Sequence, residues 1–216
     1  IVSRDWSSDV CSSDLQAFCS EDLGGFYLDI LKDRLYTTAA KGKARRSAQN
    51  ALYHITQALT RLMAPILSFT AQEVWETIQK TESSVFEQTW YQFALPSDAG
   101  QLRERWGKLR ALRSDVQKEL EALRVAGKIG SSLAGEVDLH AQGEAHSLLA
   151  SLKDDLRFVM ITSRATVHQG AGGTASVGVP GIGIAVSAST HAKCERCWHY
   201  RADVGVHADH PRSEEH

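Results

Sequence analysis

Apolar positions in the first half of the chain recur at helical spacing. Leu23, Tyr27 and Ile30 follow one another at steps of four and three, and Phe26 and Leu31 widen the stripe. Ala48, Leu52, Ile55, Leu59 and Leu62 draw a second, longer stripe. Pro65 should close that helix, because proline lacks the amide donor and its ring clashes with the preceding turn. Thr70 and Glu73 have capping-box spacing and predict the start of a third helix. Leu102, Trp106, Leu109, Leu112, Val116, Leu120 and Leu123 predict a fourth. Each helix offers a single apolar stripe and needs a partner, so the economical arrangement is a helical bundle.

Past Gly127 the period changes. Val137 and Leu139 alternate with polar neighbours and predict a short strand. Ala145, Leu148, Leu149, Leu152 and Leu156 predict a helix, and the runs Phe158–Ile161 and Ala165–Val167 read as strands. Residues 169–183 are rich in glycine and small side chains and read as a flexible connection. Ile182, Ile184 and Val186 alternate as one more strand. The expected fold class is therefore mainly α. A bundle over 16–100 is followed by a long helix with a small α+β unit over 101–168. A linker with a short strand spans 169–192, and a cysteine-bearing tail spans 193–211.

The two ends have a different character. Asp5–Leu15 reads DWSSDVCSSDL and Arg212–His216 reads RSEEH. Both resemble translations of one sequencing-library adapter read in opposite senses, so 1–15 and 212–216 are set aside as artefact in fold reasoning. The whole chain carries 24 basic and 26 acidic residues, a net charge of -2. Setting aside Arg4, Arg212, Asp5, Asp9, Asp14, Glu214 and Glu215 brings the balance close to neutral. That is not the strong basic excess of a general nucleic-acid binder, so RNA contact would rest on local patches and shape. No apolar run is long enough to cross a membrane and no signal peptide is visible. Outside the suspect ends, Cys19, Cys194 and Cys197 form no disulfide framework, which fits a reducing cytoplasm.

Cys194-Glu-Arg-Cys197 is a C-x2-C knuckle. Its turn can bring two thiolates to one side of a tetrahedral zinc, with thioredoxin-like redox chemistry as the rival reading. No cysteine follows Cys197, so a closed four-ligand site would need substitutes such as His207 and His210, with His199 a weaker candidate. The expectation is weak zinc binding or none. Lys32, Arg34, Lys41, Lys43, Arg45 and Arg46 make a local basic cluster. Arg45 and Arg46 lie near a helix start, where cations oppose the helix dipole and a phosphate partner would offset the cost. A plain solvated charged face is the other reading. Trp90 and Tyr91 either stack on an unpaired base or fold over a core. His54 sits beside an apolar stripe and reads as packing. No nucleophile elbow and no Walker-type phosphate loop is present, so no catalytic residue is assigned.

The blocks FYLDILKDRLY (Phe26–Tyr36), ARRSAQNALYHI (Ala44–Ile55) and MAPILSFTAQEVW (Met63–Trp75) resemble the anticodon-binding helical domain of class I isoleucyl-tRNA synthetases. KCERCWHYRADVGVHADHP (Lys193–Pro211) resembles the opening of the zinc module of the bacterial-type enzymes, and Lys128–Leu133 resembles a K-x-G-x-S-L block of that family. The resemblance implies a C-terminal fragment of a monomeric, cytoplasmic isoleucine--tRNA ligase. Its partners are tRNA(Ile) and the catalytic domain of the same parent, and no membrane is involved. The parent charges tRNA(Ile) using ATP and magnesium. The H-I-G-H and K-M-S-K-S signatures and any editing domain are absent from this chain, so it should not aminoacylate alone. Lys128 and Trp90 join the basic cluster as tRNA-binding candidates. A valyl or leucyl synthetase fragment, or a stand-alone tRNA-binding or zinc-knuckle protein without catalysis, are the alternatives.

Overall fold

Residues with the first apolar stripe fold as one continuous helical rod. It runs through α1 (Ser8–Ala17), a wider π-helical stretch (Phe18–Leu28) and α2 (Asp29–Tyr36). The regular α-helix expected here is thus widened, with backbone bonds that join residues five apart. Gly24 and Gly25 mark the place: a Cβ on either would lie 3.0 or 3.2 Å from the carbonyl oxygen five residues back. The computed structural model describes residues 8–80, 83–206 and 211–213. The chain divides into two compact units, Ile1–Pro96 and Ser97–His216.

In the first unit, α2 leads through a tight turn into α3 (Lys43–Met63), and α4 (Ser68–Gln79) follows. Pro65 lies in the turn that ends α3, as its chemistry requires. α4 begins at Ser68, two residues ahead of Thr70, and Ser68 Oγ donates to the Ala64 carbonyl at 3.0 Å. The buried cluster is small: Ala64, Ala71, Trp75 and Val85. Along α3 the stripe is less buried than its period suggests. Leu52, Ile55 and Leu59 are half-buried and Leu62 is exposed, while Ala48, Gln57, Ala58 and Thr60 are buried.

The second unit is built on α5 (Ala99–Val125); of its predicted stripe Leu109, Leu112, Val116 and Leu120 are buried, Leu102 and Leu123 are half-buried and Trp106 is exposed. Gly127, at φ 68, ends it. The Lys128 and Gly127 amides reach back to Leu123 and Arg124 in a Schellman cap. β1 (Gly135–Ala141) is the parallel partner of β2 (Arg164–Gln169) and the antiparallel partner of β4 (Gly183–Ala188), with β3 (Thr174–Ala175) outside β4. Val137, Leu139 and Ala141 alternate towards the α5 core. Glu136 and Asp138, on either side of Val137 in β1, bind Arg164 of β2 at 2.6 and 3.0 Å.

Two expectations fail here. Phe158–Ile161 is not a strand. Residues up to Met160 form α7 (Asp155–Met160), a separate turn of helix after α6 (Gly143–Ala150). Ile161 adopts φ 56, and the Thr162 amide closes the helix on the Arg157 carbonyl at 3.0 Å. Nor is 169–183 a loose connection, because it contains β3 and is pinned by Asp115. That carboxylate accepts from Ser176 Oγ at 2.7 Å and from the Gly178 amide at 2.8 Å. A Cβ on Gly183 would fall 1.6 Å from the Gly172 carbonyl oxygen, so only glycine lets the chain close there.

Candidate nucleic-acid interface and metal centre

Six of the eight predicted RNA-binding residues belong to one helical hairpin. Lys32 and Arg34 lie in α2, Lys41 in the turn, and Lys43, Arg45 and Arg46 in the first turn of α3. The turn is fixed by its own chemistry. Thr37 and Thr38 hydroxyls donate to the Asp33 and Arg34 carbonyls at 2.7 and 2.6 Å and finish α2. The Gly42 amide closes on the Ala39 carbonyl at 2.8 Å, and α3 starts directly after it. Gly42 offers no side-chain cap and no acidic residue stands in the first turn of α3. The uncapped helix start therefore carries free amide donors and the positive end of the helix dipole, with Lys43, Arg45 and Arg46 in the same turn, features suited to phosphate.

Within the cluster the roles differ. Arg45 is half-buried and donates to the Thr38 carbonyl at 3.3 Å, so it also braces the turn. Lys32 pairs with Asp29 at 2.6 Å. Arg46, Lys41 and Lys43 are exposed. Trp90 is not part of this cluster. It lies in the extended segment after the short 3-10 turn Val85–Glu87, with 47% of its surface exposed. Lys128 is exposed in the second unit, at the end of α5.

Tyr91, beside Trp90, folds back onto α3. Its hydroxyl pairs with His54 Nδ1, and the Arg61 guanidinium sits 5.1 Å from its ring centre. The same guanidinium lies 4.8 Å from the centre of the Trp75 ring and donates to Gln57 at 2.9 and 3.0 Å. In the sequence His54 reads as packing alone, and Arg61 stands outside the basic cluster. The signal that could have joined them is their spacing: His54, Gln57 and Arg61 step by three and four along one face of α3.

The C-x2-C turn sits between β5 (Ala192–Lys193) and β6 (Tyr200–Arg201). Both thiols are buried, and the Cys197 amide points at Cys194 Sγ across 3.5 Å. Trp198 takes a left-handed φ of 68, and its amide closes the turn on the Cys194 carbonyl at 3.0 Å. Such a turn holds two sulfurs on one side and fits half of a tetrahedral site. Among the described residues no group of three or more His, Cys, Asp or Glu gathers to complete one. His207 and His210 lie outside the described residues. The knuckle is held against α7 and the residues before β2 within the second unit. His199, 1% exposed, packs edge-on against Phe158, and the Tyr200 amide donates to Ser163 Oγ at 2.6 Å. No helix among the described residues is long and apolar enough to cross a membrane.

Residues 7–139 match the family described as the anticodon-binding domain of tRNA ligase, a match that begins inside the Asp5–Leu15 stretch. Residues 193–212 match the zinc finger found in FPG and IleRS. Among individual proteins, the chain is 57% identical over 199 residues to the isoleucine--tRNA ligase of Thiobacillus denitrificans, covering 91% of this chain and 20% of that one. The isoleucine--tRNA ligase of Paraburkholderia phytofirmans is 57% identical over 197 residues, with the same shares. That of Bordetella petrii is 54% identical over 208 residues, 92% of this chain and 21% of that one. The chain spans about a fifth of the length of these relatives.

Proposed function

The chain belongs to the family of anticodon-binding domains of tRNA ligases, and from that premise we propose that it is the C-terminal, tRNA-gripping part of an isoleucine--tRNA ligase. The observation that carries this reading is the α2–α3 hairpin, which brings six cations onto two helices and their turn, beside a helix start that no side chain caps. Backbone phosphates of the anticodon arm of tRNA(Ile) are the proposed occupants, with Trp90 and Lys128 as further contacts. The whole protein is proposed to act as a cytoplasmic monomer. It would join isoleucine to tRNA(Ile) using ATP and magnesium at residues this chain does not contain. The role of this chain is orientation: it would hold the far end of the tRNA while its catalytic partner domain works on the other.

Zinc belongs to the tail. Cys194 and Cys197 supply two thiolates, and His207 and His210 are the remaining candidates within the chain. Two thiolates alone hold zinc weakly, since a closed structural site uses four ligands.

Arg46→Glu tests the phosphate reading. It is expected to weaken binding of isoleucine tRNA by about tenfold or more in low salt, and to lower the slope of log affinity against log salt by about one. Arg45→Glu should do the same and also loosen the turn through the loss of its bond to Thr38. Affinity and slope unchanged in both variants would remove the hairpin from the interface.

A further inference from the structure

Phe18–Leu28 is π-helical over 11 residues, inside a rod that is α-helical on both sides. This wider form is rare and mostly confined to a single turn. It also disagrees with its own sequence. Leu23, Tyr27 and, just beyond, Ile30 carry the α-helical period. Yet no residue of the stretch is buried, and Phe18 and Leu28 are 37% and 38% exposed. A second stripe in the same unit is short of partners too. α3 packs chiefly on α2 and α4, and its Leu52, Ile55 and Leu59 are only half-buried.

The two stripes are matched in position. Leu52 lies nine residues past the start of α3, and Tyr27 lies nine before the end of α2. Ile55 lies twelve past that start and Gly24 twelve before that end, with Leu23 beside it. In antiparallel α-helices joined by a short turn, equal steps from the turn bring residues level. A regular α-helix continued backwards from the buried Leu31 puts Tyr27 and Leu28 on its face one turn back. Leu23 and Gly24 follow two turns back. Bonding between residues five apart turns these side chains progressively off that face. Gly24 and Gly25 favour the wide form. Glycine is a poor α-helix former, and in the wide form a Cβ at either position crowds the Cys19 or Ser20 carbonyl oxygen at 3.0 or 3.2 Å.

We propose that Phe18–Leu28 is an element with two registers. One is the π-helical register seen here. The other is a regular α-helix in which Leu23, Tyr27 and Leu28 close on Leu52 and Ile55 of α3. Burial of the two stripes favours the second, and the glycine pair favours the first. The change lengthens the rod and turns α1 about its axis, while the cations of the α2–α3 hairpin stay where they are. The stretch is thereby a hinge between α1 and the basic hairpin, and it stands independently of what the hairpin binds.

NMR couplings across backbone hydrogen bonds, measured on the whole chain, read the register directly. In the wild type they are expected to join amides of the stretch to carbonyls five residues back. The double variant Gly24→Ala with Gly25→Ala is expected to move them to carbonyls four residues back. It should also slow amide exchange at Leu52 and Ile55 about fivefold or more and raise the urea midpoint of the first unit by about 0.5 M. Gly25→Ala alone, where the Cβ has more room, serves if the pair fails to fold, and a mixture of both registers is expected of it. Couplings four residues back in the wild type would mean a single α register and overturn the proposal. Couplings that stay five residues back in every variant that folds, with a lowered urea midpoint, would mean a single π register and overturn it as well.

Discussion

Trp75→Ala is expected to destabilise the first unit by about 3–5 kcal/mol, the range for deleting a large buried aromatic. Trp75 is 2% exposed and fills the small cluster with Ala64, Ala71 and Val85. Its indole nitrogen donates to Ser83 Oγ at 3.2 Å, so the same side chain ties the residues after α4 to that helix. It is also one of the two rings between which the Arg61 guanidinium lies. Removing it leaves a cavity among three small aliphatic side chains that cannot collapse to fill it. It also strips an apolar partner from a half-buried cation. Tyr91 should then loosen, because Arg61 is one of the groups that hold it. The core on α5 shares no residue with this cluster, so its protection should persist. Hydrogen exchange followed by mass spectrometry checks this. Loss of protection over α3 and α4 with α5 and β1 unchanged is the expected pattern, and equal loss in both units would contradict it.

Asp115→Ala should cost the second unit about 2 kcal/mol at neutral pH, since it strips a charged acceptor from the buried Ser176 hydroxyl and from the Gly178 amide. The carboxylate is held well below its ordinary value of 3.8, first by the Gly178 amide, then by the Ser176 hydroxyl and Lys118. A group whose pKa is depressed on folding contributes stability that is fully present above its unfolded value. That contribution is lost as pH falls towards the folded one. The difference between wild type and variant should therefore be largest at neutral pH and shrink progressively below about pH 4. Urea unfolding of both proteins at pH 7 and at pH 3 measures it. A difference that stays constant with pH would mean that Asp115 acts through packing and not through its charge. The loss at neutral pH should be concentrated at β3 and the chain leading into β4, which Asp115 holds from across 61 residues of sequence.

That distance explains much of what could and could not be read in advance. The middle of the α5 stripe was legible because Leu109, Leu112, Val116 and Leu120 recur regularly and are buried, whereas Trp106 towards its start is exposed. The basic hairpin was legible because its six cations are close neighbours along the chain. Phe158–Ile161 was misread because a four-residue apolar run has no period that separates a strand from a buried helical turn. The turn ends on Ile161 in a left-handed conformation, where a glycine would have signalled a helix end. The glycine-rich stretch after β2 looked loose because its anchor, Asp115, lies in another element. The contact of Tyr91 with His54 stayed hidden for the same reason, since it spans 37 residues. The C-x2-C pair announced itself, but its dock on Phe158 and Ser163 is visible only in the fold.

The central claim is that this chain recognises isoleucine tRNA by its anticodon end. The most direct measurement titrates the chain against isoleucine, valine and leucine tRNAs at one fixed salt concentration, with an isoleucine tRNA whose anticodon loop is masked by a complementary oligonucleotide as the fourth ligand. The tightest binding is predicted for the unmasked isoleucine tRNA, with a clear loss on masking. Equal affinity for all four, or a preference for the valine or leucine tRNA, would contradict it.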